Sequence, residues 1–290
     1  IKRMSNQDSL TKEEAIKANI YVHSFLANAG EYNKSPHFRP ENQEKVRGIL
    51  LRLTENVRER TNTKAIDFGC GTGFMIHLMR DLFTEVHGVD ITQDMMKQVD
   101  LSSGNIHLHE SLAENTPFEN GTFDFATAYS FMDHLFNHKD FLSEAYRVLK
   151  PGGIFYSDLN PNRDFILAIS NVEKASNQQL DVSPIVAREV QGALHNGEYY
   201  EQHFGMNGNL LEKAEPIKSL DKGFNSQEVV SAAHEIGFTH CNVEYEWFLG
   251  QANVMHEQSK EDSDIVEKYL NSVLPVSSHL FKYLRFVFIK

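Results

Sequence analysis

The feature that most constrains this chain is a seven-residue turn, Asp67-Phe68-Gly69-Cys70-Gly71-Thr72-Gly73, set between two apolar segments. Lys64-Ala65-Ile66 before it reads as a buried strand, and Phe74-Met75-Ile76-His77-Leu78-Met79 after it reads as the start of a helix. Glycines at every second position let the backbone bend sharply and let a ligand approach where a Cβ would otherwise stand. Asp67 ends the strand just before the first glycine. A phosphate would be repelled by that carboxylate, whereas a cofactor with a cationic end would be drawn to it. The spacing is G-x-G-x-G, not the G-x-G-x-x-G of dinucleotide-binding folds. The heptapeptide therefore points towards S-adenosylmethionine rather than NAD.

The same alternation continues downstream. Strand-like 85–90 precedes helix-like 92–101. Strand-like 105–109 leads through a loop, 110–122, to strand-like 123–129 and helix-like 138–149. The turn Pro151-Gly152-Gly153 precedes a strand over 154–158. Strands alternating with helices imply a parallel sheet with helices on both faces. Upstream, residues 11–29 read as a helix with a Thr11/Glu14 capping box, stopped by Gly30. Residues 41–60 read as an amphipathic helix with Val46, Ile49, Leu50, Leu53 and Val57 on one face. From 160 to 222 the rhythm is lost over a stretch too long for an ordinary connection. It holds a helix-like part, 163–179, and a hairpin-like part around Gly197 and Gly208, and reads as a lid. Helix-like 226–236, closed by Gly237, restores the alternation. Strand-like 239–248, an acidic stretch at 250–272 with a helix over 261–273, and a last strand over 280–289 follow. The organisation expected is an N-terminal helical cap, 1–60, a core, 61–160 and 223–290, and a lid insertion, 161–222.

Composition excludes some classes. A formal net charge of −12 argues against broad contact with nucleic-acid phosphates. No apolar run is long enough for a transmembrane helix. Cys70 and Cys241 are far apart, which argues against a disulfide framework and for a reducing cytoplasm. No Cys/His cluster has zinc-like local spacing, so no metal is expected. There is no signal-peptide pattern, and Met4 is read as the natural start.

Four segments, in order, resemble the class I S-adenosylmethionine-dependent methyltransferases. Within these they look most like the small-molecule group that includes the ubiquinone and sugar methyltransferases. The segments are the heptapeptide 67–73; Val89-Asp90; Ala113-Glu114-Asn115-Thr116-Pro117-Phe118 through Phe123-Asp124; and Phe141 through Arg147-Val148-Leu149-Lys150-Pro151-Gly152-Gly153. The resemblance is strong over residues 40–160 and holds in outline over 223–290. It implies an α/β fold, a Rossmann-like seven-stranded sheet with the last strand antiparallel. It also implies S-adenosylmethionine lying across the carboxyl ends of the first strands, with S-adenosylhomocysteine as product.

The expected cofactor contacts follow from position. Asp67 would face the methionine amino group, and the backbone of Gly69, Cys70, Gly71 and Gly73 would run along the cofactor. Asp90 would accept the ribose hydroxyls, with helix capping as its plainer role. Ile91 would pack on adenine. Where many relatives carry Asp before the alanine, this chain has Leu112, so adenine recognition falls to Ala113, Ser111 or Glu114. Tyr129 and Phe131 would offer aromatic faces near the sulfonium. His134 is the candidate general base; a structurally satisfied histidine is the alternative. Tyr32 would close a flap over the cofactor. Tyr199, Tyr200 and His203, with Phe204, would line a substrate cavity if the insertion is a hairpin.

The activity expected is methyl transfer to a small-molecule O or N by in-line displacement, without nucleic-acid or membrane partners. The alternatives are a methyltransferase acting on protein or RNA, and a non-catalytic module that binds the cofactor. The acceptor and the oligomeric state are not specified by the sequence.

Overall fold

A computed structural model describes residues 10–175 and 182–290. Met4 and the end of the helix expected over 163–179 lie outside the described residues. Strands β1 (Lys64–Phe68), β2 (Glu85–Asp90), β3 (Ile106–Glu110), β4 (Phe123–Tyr129), β5 (Leu149–Pro161), β6 (His240–Phe248) and β7 (Phe281–Ile289) form one sheet. Its order is β3-β2-β1-β4-β5-β7-β6. The pairs from β3 to β5 are parallel, and β7 runs antiparallel to both β5 and β6. The expected sheet, with its antiparallel last strand, is therefore present. β4 lies in its middle and is buried at every position, as a strand covered on both faces must be.

Helix α1 (Lys12–Asn28) carries the Thr11/Glu14 capping box and ends before Gly30, whose φ is +68°. The helix read over 41–60 is two: α2 (Pro40–Leu53) and α3 (Glu55–Arg58). Thr54 breaks it, because its buried hydroxyl donates to the Leu50 carbonyl and competes with the backbone ladder. α4 (Phe74–Met79) and α5 (Gln93–Met96) are shorter than the expected 73–83 and 92–101. Leu82, Phe83 and Val99 still reach the core, but from turns, so the apolar pattern outlasts the helix. α6 (His138–Val148) and α12 (Ser226–Ile236) cover one face around Phe141, Phe155, Phe238 and Phe286. α2 and α4 cover the other around Leu50, Met75, Ile76 and Phe125.

The insertion is helical: α7 (Arg163–Ala175), α8 (Pro184–Leu194), α9 (Asn196–Phe204), α10 (Gly208–Ala214) and α11 (Pro216–Ser219). The hairpin expected around Gly197 and Gly208 is not formed. These glycines bring two helices backbone to backbone: a Cβ on Gly208 would stand 2.9 Å from the Gly197 carbonyl oxygen. They mark a close helix contact, a role of glycine that resembles a turn signal in sequence. α10 packs on α1 through Leu211 and Ala214 against Ala18, Val22 and Leu26. The acidic stretch forms α13 (Gln251–Glu257) and α14 (Lys260–Ser272). Among the described residues no helix is long and apolar enough to cross a membrane.

Candidate functional site

The carboxyl ends of β1 and β2 and the loops after β3 and β4 open onto a cleft of about 740 Å³, continuous with solvent. Its floor is backbone. Gly69, Gly71 and Gly73 all have positive φ, +68°, +51° and +93°. Their duties differ. A Cβ on Gly71 would meet the Tyr32 hydroxyl at 3.3 Å across the cleft. One on Gly69 would collide with the Phe131 ring at 2.0 Å, and one on Gly73 would press Val99 and His77 at 3.0 Å. Thus Gly71 faces the cleft, Gly69 seats an aromatic ring, and Gly73 seats the start of α4.

Asp90 ends β2 beside this loop. One of its carboxylate oxygens accepts from the Gly71 N–H at 2.9 Å and the other from the Thr92 N–H at 2.8 Å. Burial raises its pKa, and these two N–H groups work against that. A carboxylate offers about four lone-pair positions, so these two bonds do not exhaust its capacity to accept. Ile91, Met95 and Leu112 provide apolar walls, and Ala113 and Glu114 complete that end. Glu114 is met from above by Lys12 of α1 at 3.3 Å.

The diagnostic segment 141–153 acts at a distance. Arg147 bonds Glu144 at 2.7 Å, the Phe118 carbonyl at 2.7 Å and Asn120 at 2.8 Å. Glu144 in turn accepts from the Thr116 N–H at 2.7 Å. This network fastens loop 111–122, whose first residues line the cleft.

At the other end of the glycine loop a smaller pocket lies between Asp67, Cys70, Phe74 and Tyr129. Asp67 is buried and accepts from the Thr127 hydroxyl at 2.7 Å. Burial pushes its pKa up to about 8, with the Thr127 bond opposing and Asp90 adding to the rise. The Cys70 thiol is buried and its pKa is raised by that burial. The Tyr129 hydroxyl accepts from the Asn42 side chain at 2.9 Å. Tyr32 borders both the cleft and this pocket.

Ser130, with φ of +50°, and His134 line both the cleft and a further cavity of about 610 Å³. That cavity is built by the insertion and β7: Asp133, Glu215, Lys218, Lys282 and Tyr283 supply its polar wall, and Phe165 and Ile166 an apolar one. Glu215 and Lys218 pair at 3.1 Å. Burial works to raise the Glu215 pKa, but the paired Lys218 ammonium opposes it, and the group is held below its ordinary value. Asp133 is raised by burial. The His134 Nδ1 lies 3.1 Å from the Ala214 carbonyl, which assigns the proton to Nδ1 and leaves Nε2 as the acceptor, 4.0 Å from Asp133. His23 of α1 packs edge-on against His134 at 4.9 Å, and burial lowers its pKa to about 4.

The structure thus brings together Tyr32, Asp67, Gly69, Cys70, Gly71, Asp90, Ile91, Leu112, Ala113, Glu114, Tyr129, Phe131 and His134 around connected cavities. Gly73 lies one turn behind. The expectation for Tyr199, Tyr200 and His203 fails with the hairpin. Tyr199 stacks on His203 at 4.0 Å along one helix face, and Tyr200 packs into the α1–α10 contact. Neither described lining includes them. The charged wall of the second cavity was missed by sequence reasoning. Its only local signal is the Glu215/Lys218 pair, one helical turn apart.

Residues 66–157 match the family model described as a methyltransferase domain. The chain is similar to the ubiquinone biosynthesis O-methyltransferase of Paraburkholderia phymatum, 26% identical over 149 residues, covering 49% of this chain and 63% of that protein. With the Burkholderia multivorans enzyme of the same name it shares 30% over 117 residues, 38% of this chain and 50% of the other. The chain thus spans 63% or less of these two relatives. In fold it is similar to an S-adenosylmethionine-dependent methyltransferase from Mesorhizobium loti, at TM-score 0.50 and 12% identity over 82% of this chain and 96% of that one. It is likewise similar to Haemonchus contortus phosphoethanolamine N-methyltransferase 2, at TM-score 0.50 and 15% identity, covering 90% and 59%. Residues 66–157 are thus similar to a methyltransferase domain, and the fold is similar to that of S-adenosylmethionine-dependent methyltransferases, as the four segments implied.

Proposed function

We propose that this methyltransferase domain moves the methyl group of S-adenosylmethionine to an oxygen or nitrogen of a small polar molecule. The observation that carries the reading is the junction of two cavities at Ser130 and His134. One is furnished for an adenosyl cofactor and the other for an acceptor. The cofactor fit rests on this chain's own groups: Asp90 presents a carboxylate to the cleft beside a glycine cradle, flanked by apolar walls, and Asp67 waits at the far end. Once bound, the cofactor supplies an activated methyl group, so the protein's share is alignment and exclusion of water.

Asp90 would orient the ribose, and Ile91, Met95 and Leu112 would sandwich the base. Tyr32 would close the cleft from above. Phe131 rests on Gly69 and would shift as the cleft fills. Asp67 would give up its proton on meeting an ammonium group. His134, fixed through Nδ1 by the Ala214 carbonyl, presents Nε2 to take a proton from an acceptor hydroxyl. A neutral amine acceptor would not need that step at the moment of attack. The charged second cavity, walled by the insertion and β7, favours a small polar acceptor over a protein or RNA. A cytoplasmic setting suits the two free thiols, Cys70 and Cys241.

The test is incubation with methyl-labelled S-adenosylmethionine and a fractionated cell extract. Label is expected in the small-molecule fraction, and lost with Asp90→Ala. Label confined to protein or RNA overturns the acceptor reading, and no transfer to any fraction overturns the reading as an enzyme.

A further inference from the structure

We propose that the outer corner of the sheet, where β2 meets the edge strand β3, is a binding site for one divalent transition-metal ion of the zinc or nickel class. The site lies apart from the linings of the three cavities described above. Residues alternate in facing along a strand, so Glu85 and His87 project from one face of β2, and His107 and His109 from one face of β3. The parallel register sets His87 directly beside His107. Their ring centroids are 4.9 Å apart, and His109 stacks on His87 at 5.3 Å. One ligand atom from each of Glu85, His87 and His107 lies within 4.8 Å of the other two. A small inward movement of the exposed His107 and the partly exposed Glu85 towards His87 brings such atoms to the bond lengths of about 2.0–2.2 Å that zinc takes with imidazole and carboxylate.

The supporting groups are also in place. The His87 Nε2 lies 3.2 Å from Glu85, and its Nδ1 lies 3.1 Å from the His109 Nε2. One nitrogen is thus directed at the carboxylate where the ion would sit, and the other is held by an outer partner. Metal-binding histidines are characteristically oriented in this way. Phe118 and Phe123 meet the His87 ring edge-on at 5.4 and 5.3 Å, and Phe118 meets His109 at 4.8 Å, so two of the rings stand against a firm wall. Two imidazoles and a carboxylate suit a borderline cation better than calcium or magnesium.

Lys64 competes, pairing with Glu85 at 2.8 Å. Both side chains are about one-third exposed, and an ion pair of this kind is cheaply released. The other His/carboxylate cluster, Asp133, His134 and Glu215, carries no such proposal, because Lys218 already neutralises Glu215 at 3.1 Å. An ion bound at the corner would pin the edge strand to its neighbour. The same two strands end at Asp90 and Glu110, paired in register at the cleft. The ion would thus stiffen the strand ends that carry the cofactor site and stabilise the folded state by mass action.

The test is calorimetric titration of metal-free, untagged protein with zinc chloride, and separately with nickel chloride, at pH 7.5. One site of micromolar affinity is expected, with a rise in melting temperature at saturation. His107→Ala should weaken binding by about tenfold or more, and His109→Phe, which removes the outer partner, by about tenfold. His107 is exposed, so its variant should fold, and its metal-free melting curve checks that. His203→Ala, an exposed histidine elsewhere, should bind as the parent does. Absence of a site in the parent, or undiminished binding by folded His107→Ala, overturns the proposal.

Discussion

The floor and the roof of the cleft are built on different principles. The floor is backbone at strand ends: the glycine loop, Asp90 and loop 111–122, each fixed by bonds within the sheet or to α6. The roof is side chains from helices distant in sequence: Lys12 and His23 of α1, then Tyr32, and the wall of the second cavity from the insertion. The two meet at several points, and one of them gathers three elements. The Ala214 carbonyl accepts from His134 at 3.1 Å and from Asn19 of α1 at 3.3 Å. The floor is therefore rigid because the sheet is rigid, whereas the roof holds its geometry only while α1 and α10 stay packed. Cofactor affinity should depend on the floor, and turnover on the roof.

The strongest way to break this division is Gly71→Val. A branched side chain at φ of +51° is strained, and it would enter the space below the Tyr32 hydroxyl. Cofactor binding should be abolished in calorimetry, while circular dichroism still shows a folded chain. Next comes His134→Ala. With a hydroxyl acceptor, turnover should fall by about 10²–10⁴-fold while cofactor affinity stays within about twofold. Unchanged turnover would return His134 to a packing role.

Asp90→Ala comes third. It removes the ribose acceptors and strands two N–H groups, so affinity should fall by about 2–3 kcal/mol. Gly208→Ala probes the roof alone. The new methyl would press the Gly197 carbonyl, costing about 1–3 kcal/mol of stability and loosening the carbonyl that holds His134. Turnover should drop while cofactor affinity persists, and a variant that loses affinity instead would erase the distinction between floor and roof.

The smallest effect is that of pH. In the free protein Asp67 has a pKa of about 8, and a cationic ligand group favours its ionised form. Below pH 8 binding should therefore release a proton, and affinity should rise as pH approaches 8 from below. Titrations in buffers of different ionisation enthalpy measure that proton, and Asp67→Asn should remove it.

This difference also explains what could be read from the sequence. The floor is local: a strand, a glycine turn and a carboxylate 23 positions later are fixed by short-range rules, and all fall where expected. Helices α4 and α5 stop short of the spans their apolar patterns suggest, because a core-facing turn carries the same apolar spacing as a helix. The roof is non-local. Gly197 and Gly208 carried the mark of a turn, but their use was a helix contact set by tertiary packing. Once the hairpin was wrong, Tyr199, Tyr200 and His203 were displaced from the cavity with it. Lys218 of α11 and Lys282 and Tyr283 of β7 reach one wall from two elements, and the facing His87 and His107 come from two strands. Local spacing announces only fragments of each group, the Glu215/Lys218 pair and the alternating Glu85/His87 and His107/His109, and not their meeting.

The most direct test of the central claim is parallel calorimetric titration with S-adenosylmethionine, S-adenosylhomocysteine and NAD. The structure predicts binding of both adenosyl sulfur ligands and none of NAD. Binding of NAD, or failure of folded protein to bind either adenosyl ligand, would contradict it.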